Sequence, residues 1–297
     1  MPILKRILVA TDLSAAGKHA VMRAGQLARQ WEAGLFLVHA RPDWNLFARW
    51  RPASQDSYRD IAQSADEPLR DLLAELERKF GVHARCDSRM GKASSVIAAA
   101  AAECKPHLVV IGARGEHDTG RPEPFLGGTA LKLLSRIELP MLVVRGSSET
   151  AYTTSLVAVG IPSALSRRAV LWASGLVQGG DCHLVHAYGV PYVERMRLHG
   201  IAEAVVDARM RQAREAAELT PPDVIGAAEG SARMHVHAVN GEPVAAVLAE
   251  VTSHAPQLVV VGKRESQSSS AGDGIMGGVG FRIAYHTPTD VLILSNA

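Results

Sequence analysis

The sequence predicts an α/β protein built from two doubly wound, five-stranded parallel-sheet domains. Three observations carry that expectation. The length, 297 residues, suits two domains. Apolar runs alternate with helical patterns, as strands buried on both faces and their crossover helices require. And motifs recur. Gly91-Lys92-Ala93-Ser94-Ser95-Val96-Ile97 returns as Gly241-Glu242-Pro243-Val244-Ala245-Ala246-Val247, Pro106-His107-Leu108-Val109 as Pro256-Gln257-Leu258-Val259, and Phe125-Leu126-Gly127-Gly128 as Ile275-Met276-Gly277-Gly278, each 150 positions later. One offset shared by three separate segments marks a duplication. Leu37-Val38-His39-Ala40 and Leu184-Val185-His186-Ala187 differ by 147, so a short deletion lies between.

Taken in order, Ile7–Ala10 is an apolar run expected as the first strand, and Lys18–Trp31 a helix with Ala20, Ala24, Leu27 and Trp31 on one face. Leu35–His39 follows as a strand, then a long helix around Arg59–Phe80 and a strand near Val82–Cys86. A helix over Ser94–Glu103, a strand Leu108–Ile111, a helix near Thr129–Arg136 and a strand Met141–Val144 complete the unit. The second copy repeats this from Leu156 to Leu294. Gly146-Ser147-Ser148-Glu149-Thr150 is polar and loop-like, giving domains over 1–146 and 155–297.

Composition narrows the function classes. Apolar residues make up 47%, charged residues 21%, and the net charge is +2, so neither a nucleic-acid nor a membrane-surface role is indicated. The start of the chain lacks a signal-peptide pattern, and no stretch approaches the roughly 18 apolar residues of a membrane span. Cys86, Cys104 and Cys182 have no metal-ligand or redox spacing and are expected to be buried small apolar residues. A reduced, cytoplasmic protein is the expectation.

In an open α/β sheet, ligands bind beyond the carboxyl ends of the strands. There, Gly112-Ala113-Arg114-Gly115 leaves the fourth strand, and Gly127-Gly128-Thr129 precedes the next helix. Glycines let backbone amides approach phosphate oxygens, and a helix N-terminus adds partial positive charge. Arg114, His117 and Arg121 could add charge to that cradle, although the glycines could equally serve as turns.

With the Ala10-Thr11-Asp12-Leu13-Ser14 end of the first strand, this glycine pattern resembles the universal stress protein family, over essentially the whole chain and twice. The resemblance implies an adenine-nucleotide alpha hydrolase-like fold. It also implies binding of ATP or AMP, with Mg²⁺ accompanying ATP, in a stress-response protein that acts as a sensor or regulatory module. On it, Thr11, Asp12 and Val38 hold the adenosine side. Gly112, Arg114, Gly115, Gly127, Gly128 and Thr129 hold the phosphates. Apart from the resemblance, Asp12 reads equally as a turn or helix-capping residue with Ser14, and His39 as a hydrogen-bonded core histidine. The family's ATP-binding branch has nine residues between the second and third glycines. Here there are eleven, Glu116 to Leu126, with Pro122 and Pro124, and Gly128 stands where that branch has a hydroxyl residue.

The second copy departs further. Aligning Ala20 with Ala169 puts Ile161 opposite Asp12; Glu265 replaces the second glycine and Val279 replaces Thr129. Gln267–Gly274 reads as a solvated loop. This half is expected to be degenerate.

No Gly-x-Ser-x-Gly, His-Glu-x-x-His or Gly-x4-Gly-Lys-Ser/Thr motif is present, so the expectation is a binding protein without catalytic residues, at most a slow ATP hydrolase. No metal site is expected; His235-x-His237 reads as an edge-strand surface pair more readily than as a metal ligand pair. Trp44–Pro52 reads as an insertion packed on the protein itself, or as a partner-binding patch. The latter would suit an alternative function, a nucleotide-independent scaffold for a protein partner or a small apolar ligand. The fifth strands, Met141–Val144 and Val291–Leu294, should be sheet edges. In the family such strands commonly pair across a twofold, which here implies an internal pseudo-twofold dimer, with further association into a homodimer left open.

Overall fold

The computed structural model describes residues 4–41, 66–115, 125–147, 150–160, 163–190, 193–219, 232–263 and 278–295. The chain forms two compact units, Ile3–Ala151 and Tyr152–Ala297, dividing directly after the expected linker. Tyr152 already belongs to the second core: its hydroxyl donates to Asp290 Oδ2 at 2.6 Å, with both residues buried.

The first unit runs β1 (Arg6–Thr11), α1 (Ala15–Trp31), β2 (Gly34–Arg41), α2 (Asp66–Phe80), β3 (Ala84–Met90), α3 (Ala93–Cys104), β4 (Leu108–Gly112), α4 (Gly128–Arg136) and β5 (Met141–Val144). Its strands are parallel in the order β3-β2-β1-β4-β5. The second unit runs β6 (Thr154–Val159), α5 (Ala164–Leu176), β7 (Asp181–Tyr188), α6 (Val193–Leu198), α7 (Glu203–Leu219), β8 (Arg233–Asn240), α8 (Pro243–His254), β9 (Leu258–Lys263), α9 (Val279–His286) and β10 (Asp290–Ser295). Its parallel order is β10-β9-β6-β7-β8. Each unit is therefore doubly wound, with the chain reversing its direction of travel across the sheet between the central strands β1 and β4, or β6 and β9.

The apolar runs become the central strands because only they can lie under helices on both faces. Ile7, Leu8, Val9, Leu108, Val109 and Val110 are all buried. Ala20, Ala24 and Leu27 form the inner face of α1, as the helical spacing requires, with Trp31 half-buried beside them. The helix starts at Ala15, a turn before the expected Lys18, because Ser14 Oγ accepts from Gly17 N at 3.2 Å and caps it.

Three expectations need correction. β3 covers Ala84–Met90 instead of Val82–Cys86, and β2 continues past His39 to Arg41. Parallel pairing from Leu35↔Ala84 to Arg41↔Met90 extends both strands together. Polar Arg85, Asp87 and Arg89 can occupy β3 because it is the outermost strand of the unit. For the same reason Cys86 is exposed, whereas Cys104 is half-buried and Cys182 buried. Burial pushes the Cys182 thiol up to about 11, leaving it protonated and inert at neutral pH.

α2 is described from Asp66, with Pro68 in its first turn, where a missing N–H costs nothing. The expected start near Arg59 lies outside the described residues. So do His117, Arg121, Ile161, Glu265, Gly277, Trp44–Pro52 and Gln267–Gly274. Among the described residues, no helix is long and apolar enough to cross a membrane.

Candidate functional site

The carboxyl ends of β1 and β4 are where the first unit gathers its chemistry. Thr11, the last residue of β1, is buried, and its Oγ1 accepts from Leu13 N at 3.0 Å. That bond turns the chain through a left-handed Leu13 (φ 64°) into α1. Asp12 is exposed in this turn. Its Oδ1 accepts from the backbone N–H and the hydroxyl of Ser14, at 3.1 and 2.5 Å. The turn-and-cap role open to Asp12 in the sequence is therefore real, and it fixes one carboxylate oxygen at the rim of the sheet.

The first turn of α1 lies directly against this carboxylate. A Cβ added at Gly17 would stand 2.6 Å from Asp12 Oδ1 and 2.8 Å from Thr11 Oγ1, so only glycine permits the approach. The end of β4 closes in from the other side: a Cβ at Gly112 would stand 2.9 Å from the Ala16 carbonyl oxygen. Gly112 is thus a packing glycine that seats β4 on α1. Sequence reading did not single out Gly17 or Ala16; the signal available was a glycine in the first turn of a helix, five residues after Asp12.

Beyond Gly112, Ala113 N donates to Val144 O at 2.9 Å, and Gly127 N donates to Ala113 O at 2.8 Å. The two glycine segments that the sequence separates by eleven residues are thereby joined across one hydrogen bond. Arg114 and Gly115 are half-buried at this junction. Gly127 is the N-cap of α4 with extended backbone (φ −65°, ψ 157°), and no side chain caps the helix. Gly128 and Thr129, the first helical residues, are exposed, and among the described residues nothing lies within 4 Å of where a Gly128 Cβ would stand. An N-terminus that no side chain among the described residues caps has orphan N–H groups of the kind that bind an anion.

Val38 behaves differently. It lies within β2, paired to Ala10 and to Asp87 of β3, and its side chain is buried, three residues short of the end of the strand. His39 is also buried, and its Nδ1 donates to Thr11 O at 2.9 Å. It is the hydrogen-bonded core histidine, and it braces the turn that carries Asp12. The structure therefore gathers Thr11, Asp12, Gly112, Arg114, Gly115, Gly127, Gly128 and Thr129 around one sheet edge, and leaves the Val38 side chain in the core.

The matching edge of the second unit is filled. The alignment that pairs Ala20 with Ala169 puts Leu165 in place of Ala16 and Ser166 in place of Gly17. A Cβ at Gly262 would stand 2.6 Å from Leu165 Cδ2, so the leucine side chain sits over the end of β9. α9 also comes closer: a Cβ at Gly280 would stand 2.3 Å from Gly262 O. Ala130 occupies that position in α4, so the first unit's helix cannot approach its strand as tightly. His186, the counterpart of His39, has a buried Nδ1 without the carbonyl bond that His39 makes, and burial lowers its pKa.

The model of the universal stress protein family matches the chain twice, over residues 4–145 and 151–295. Among solved structures, a universal stress protein from Archaeoglobus fulgidus DSM 4304 is similar over 98% of both chains, at 19% identity and a TM-score of 0.68. A functionally unknown protein from Pseudomonas aeruginosa PAO1 is similar over 98% of this chain and 92% of its own, at 16% identity and a TM-score of 0.62. At these identities the likeness is one of fold. No curated protein sequence matches the chain.

Proposed function

This chain belongs to the universal stress protein family, with the family's unit present twice, and from that premise we propose that its first unit binds an adenine nucleotide, ATP or AMP, as the sensing step of a stress-response module. The observation that carries the reading is the N-terminus of α4, which no side chain caps among the described residues, held against the Gly112–Gly115 turn by the Gly127 N to Ala113 O bond. Phosphates are the ligand such an N-terminus favours, and Arg114 stands beside it to add charge. Asp12, with an oxygen fixed by Ser14, would accept from ribose hydroxyls at the same edge. Mg²⁺ would accompany ATP and offset phosphate charge. The filled edge of the second unit supports assigning it a structural or different role. Among the described residues the site offers binding groups without an activated nucleophile, which supports a binder that is at most a slow ATP hydrolase.

Isothermal titration of ATP and AMP into the purified protein tests it. The expected result is one nucleotide per chain, with Asp12→Ala weakening binding by ~10-fold or more, the loss of a charge-assisted hydrogen bond. No binding at millimolar nucleotide overturns it.

A further inference from the structure

At the opposite, amino-terminal end of the second unit's sheet, histidines converge from three elements. His183 lies near the start of β7, His235 and His237 on the neighbouring β8, and His254 is the last residue of α8, which packs across them. His183 Nδ1 and His237 Nε2 are 3.0 Å apart, and each of His183, His237 and His254 offers a ring nitrogen within 4.8 Å of the others. His183 stacks on His254 and on His235, with centroids 4.2 and 4.9 Å apart, and the His237 ring is tilted against His254 at 4.7 Å. Glu250, one turn before His254, stands 3.1 Å from His254 Nε2 and 3.9 Å from His237 Nδ1. The other carboxylate nearby, Asp181, is occupied by Arg233 and by His235 Nε2.

We propose that His183, His237 and His254 form a site for a divalent transition-metal cation of the zinc class, with Glu250 supplying adjacent negative charge and orienting the His254 ring through its hydrogen bond. The geometry is near what such an ion needs. Nitrogens bound tetrahedrally at about 2.0–2.1 Å lie about 3.4 Å from one another, so a small closure of the 4.8 Å set completes a three-imidazole face with an open fourth position. The ring of His254 ends α8, where the partial negative charge of the last carbonyls also favours a cation. A carboxylate bonded to a ligating histidine is the usual orienting partner.

The fold does not require histidines here. The offsets of the duplication place Phe36, Asp87, Cys104 and Ala100 at the corresponding positions of the first unit, which folds the same way around them. The sequence showed only the His235-x-His237 alternation. The partners come from β7 and α8, 54 residues before His237 and 17 after it (237 − 183 and 254 − 237), with no metal-ligand spacing between them.

The test is a zinc titration of the chelator-treated full-length chain, by calorimetry and by competition with a chromophoric chelator. Cobalt substitution gives a second readout, visible d–d absorption. The expected result is one zinc per chain with sub-micromolar affinity. His183→Phe, which installs the first unit's residue, and His254→Ala should each weaken binding at least ~30-fold. His199→Ala, an exposed histidine outside the cluster, should bind as the parent does. Thermal melting in excess chelator shows whether the variants fold; the parent titration stands without them. Zinc binding no tighter than tens of micromolar in the parent, or equal affinity in folded cluster variants, overturns the proposal.

Discussion

Gly17 decides more about the first unit than its place in a helix suggests. In most helices an alanine there would be favourable, by up to about 1 kcal/mol. Here the added methyl would stand 2.6 Å from Asp12 Oδ1 and 2.8 Å from Thr11 Oγ1. Ser14 holds that carboxylate oxygen from two donors and Leu13 N holds the Thr11 hydroxyl, so relief requires the turn that carries Asp12 to shift from its present position. Gly17→Ala is therefore expected to change stability by less than about 1 kcal/mol, since the propensity gain offsets part of the strain, while ATP affinity falls by ~10-fold. Chemical denaturation and calorimetric titration of the same sample separate the two effects. Unchanged affinity would mean that Asp12 does not touch the nucleotide.

At the scale of elements, the central strands and their helices were legible because burial on both faces demands apolar runs, and Ile7–Ala10, Leu108–Ile111 and Met141–Val144 supply them. β3 was misplaced because an outer strand carries little such signal; its limits come from pairing with β2. The site was legible as glycines, though not as roles. Gly112 seats β4 on α1, Gly127 joins two loops, and Gly128 only keeps space open, distinctions that need coordinates. Gly128 can be tested as an element property. Gly128→Asp puts a carboxylate in the first turn of α4, where the helix dipole favours it by roughly 0.3–1 kcal/mol and no described neighbour obstructs it. The expected outcome is a higher melting temperature together with at least ~10-fold weaker ATP binding and little change for adenosine, which lacks phosphate. ATP affinity equal to that of the parent would place the phosphates elsewhere.

For the whole molecule, duplication has preserved a scaffold while its two copies diverged at opposite ends of the sheet. In the first unit, Ala16 and Gly17 put no side chain larger than a methyl group over the carboxyl edge. In the second, Leu165 and Ser166 fill that edge, and His183, His237 and His254 gather at the amino edge, where the first unit has Phe36, Asp87 and Cys104. Each group lies inside one compact unit, so the two proposed sites should be thermodynamically separable. Asp12→Ala should abolish most nucleotide affinity and leave zinc stoichiometry at one. His183→Phe should do the reverse. Nucleotide at a hundred times its dissociation constant should stabilise the unit that binds it by about 2.7 kcal/mol, and this increment should be the same with and without zinc. Differential scanning calorimetry in a four-way comparison (neither ligand, each alone, both) measures it. Additive shifts support independent sites, whereas a nucleotide increment that changes by more than ~0.5 kcal/mol on adding zinc would show that the two units exchange information.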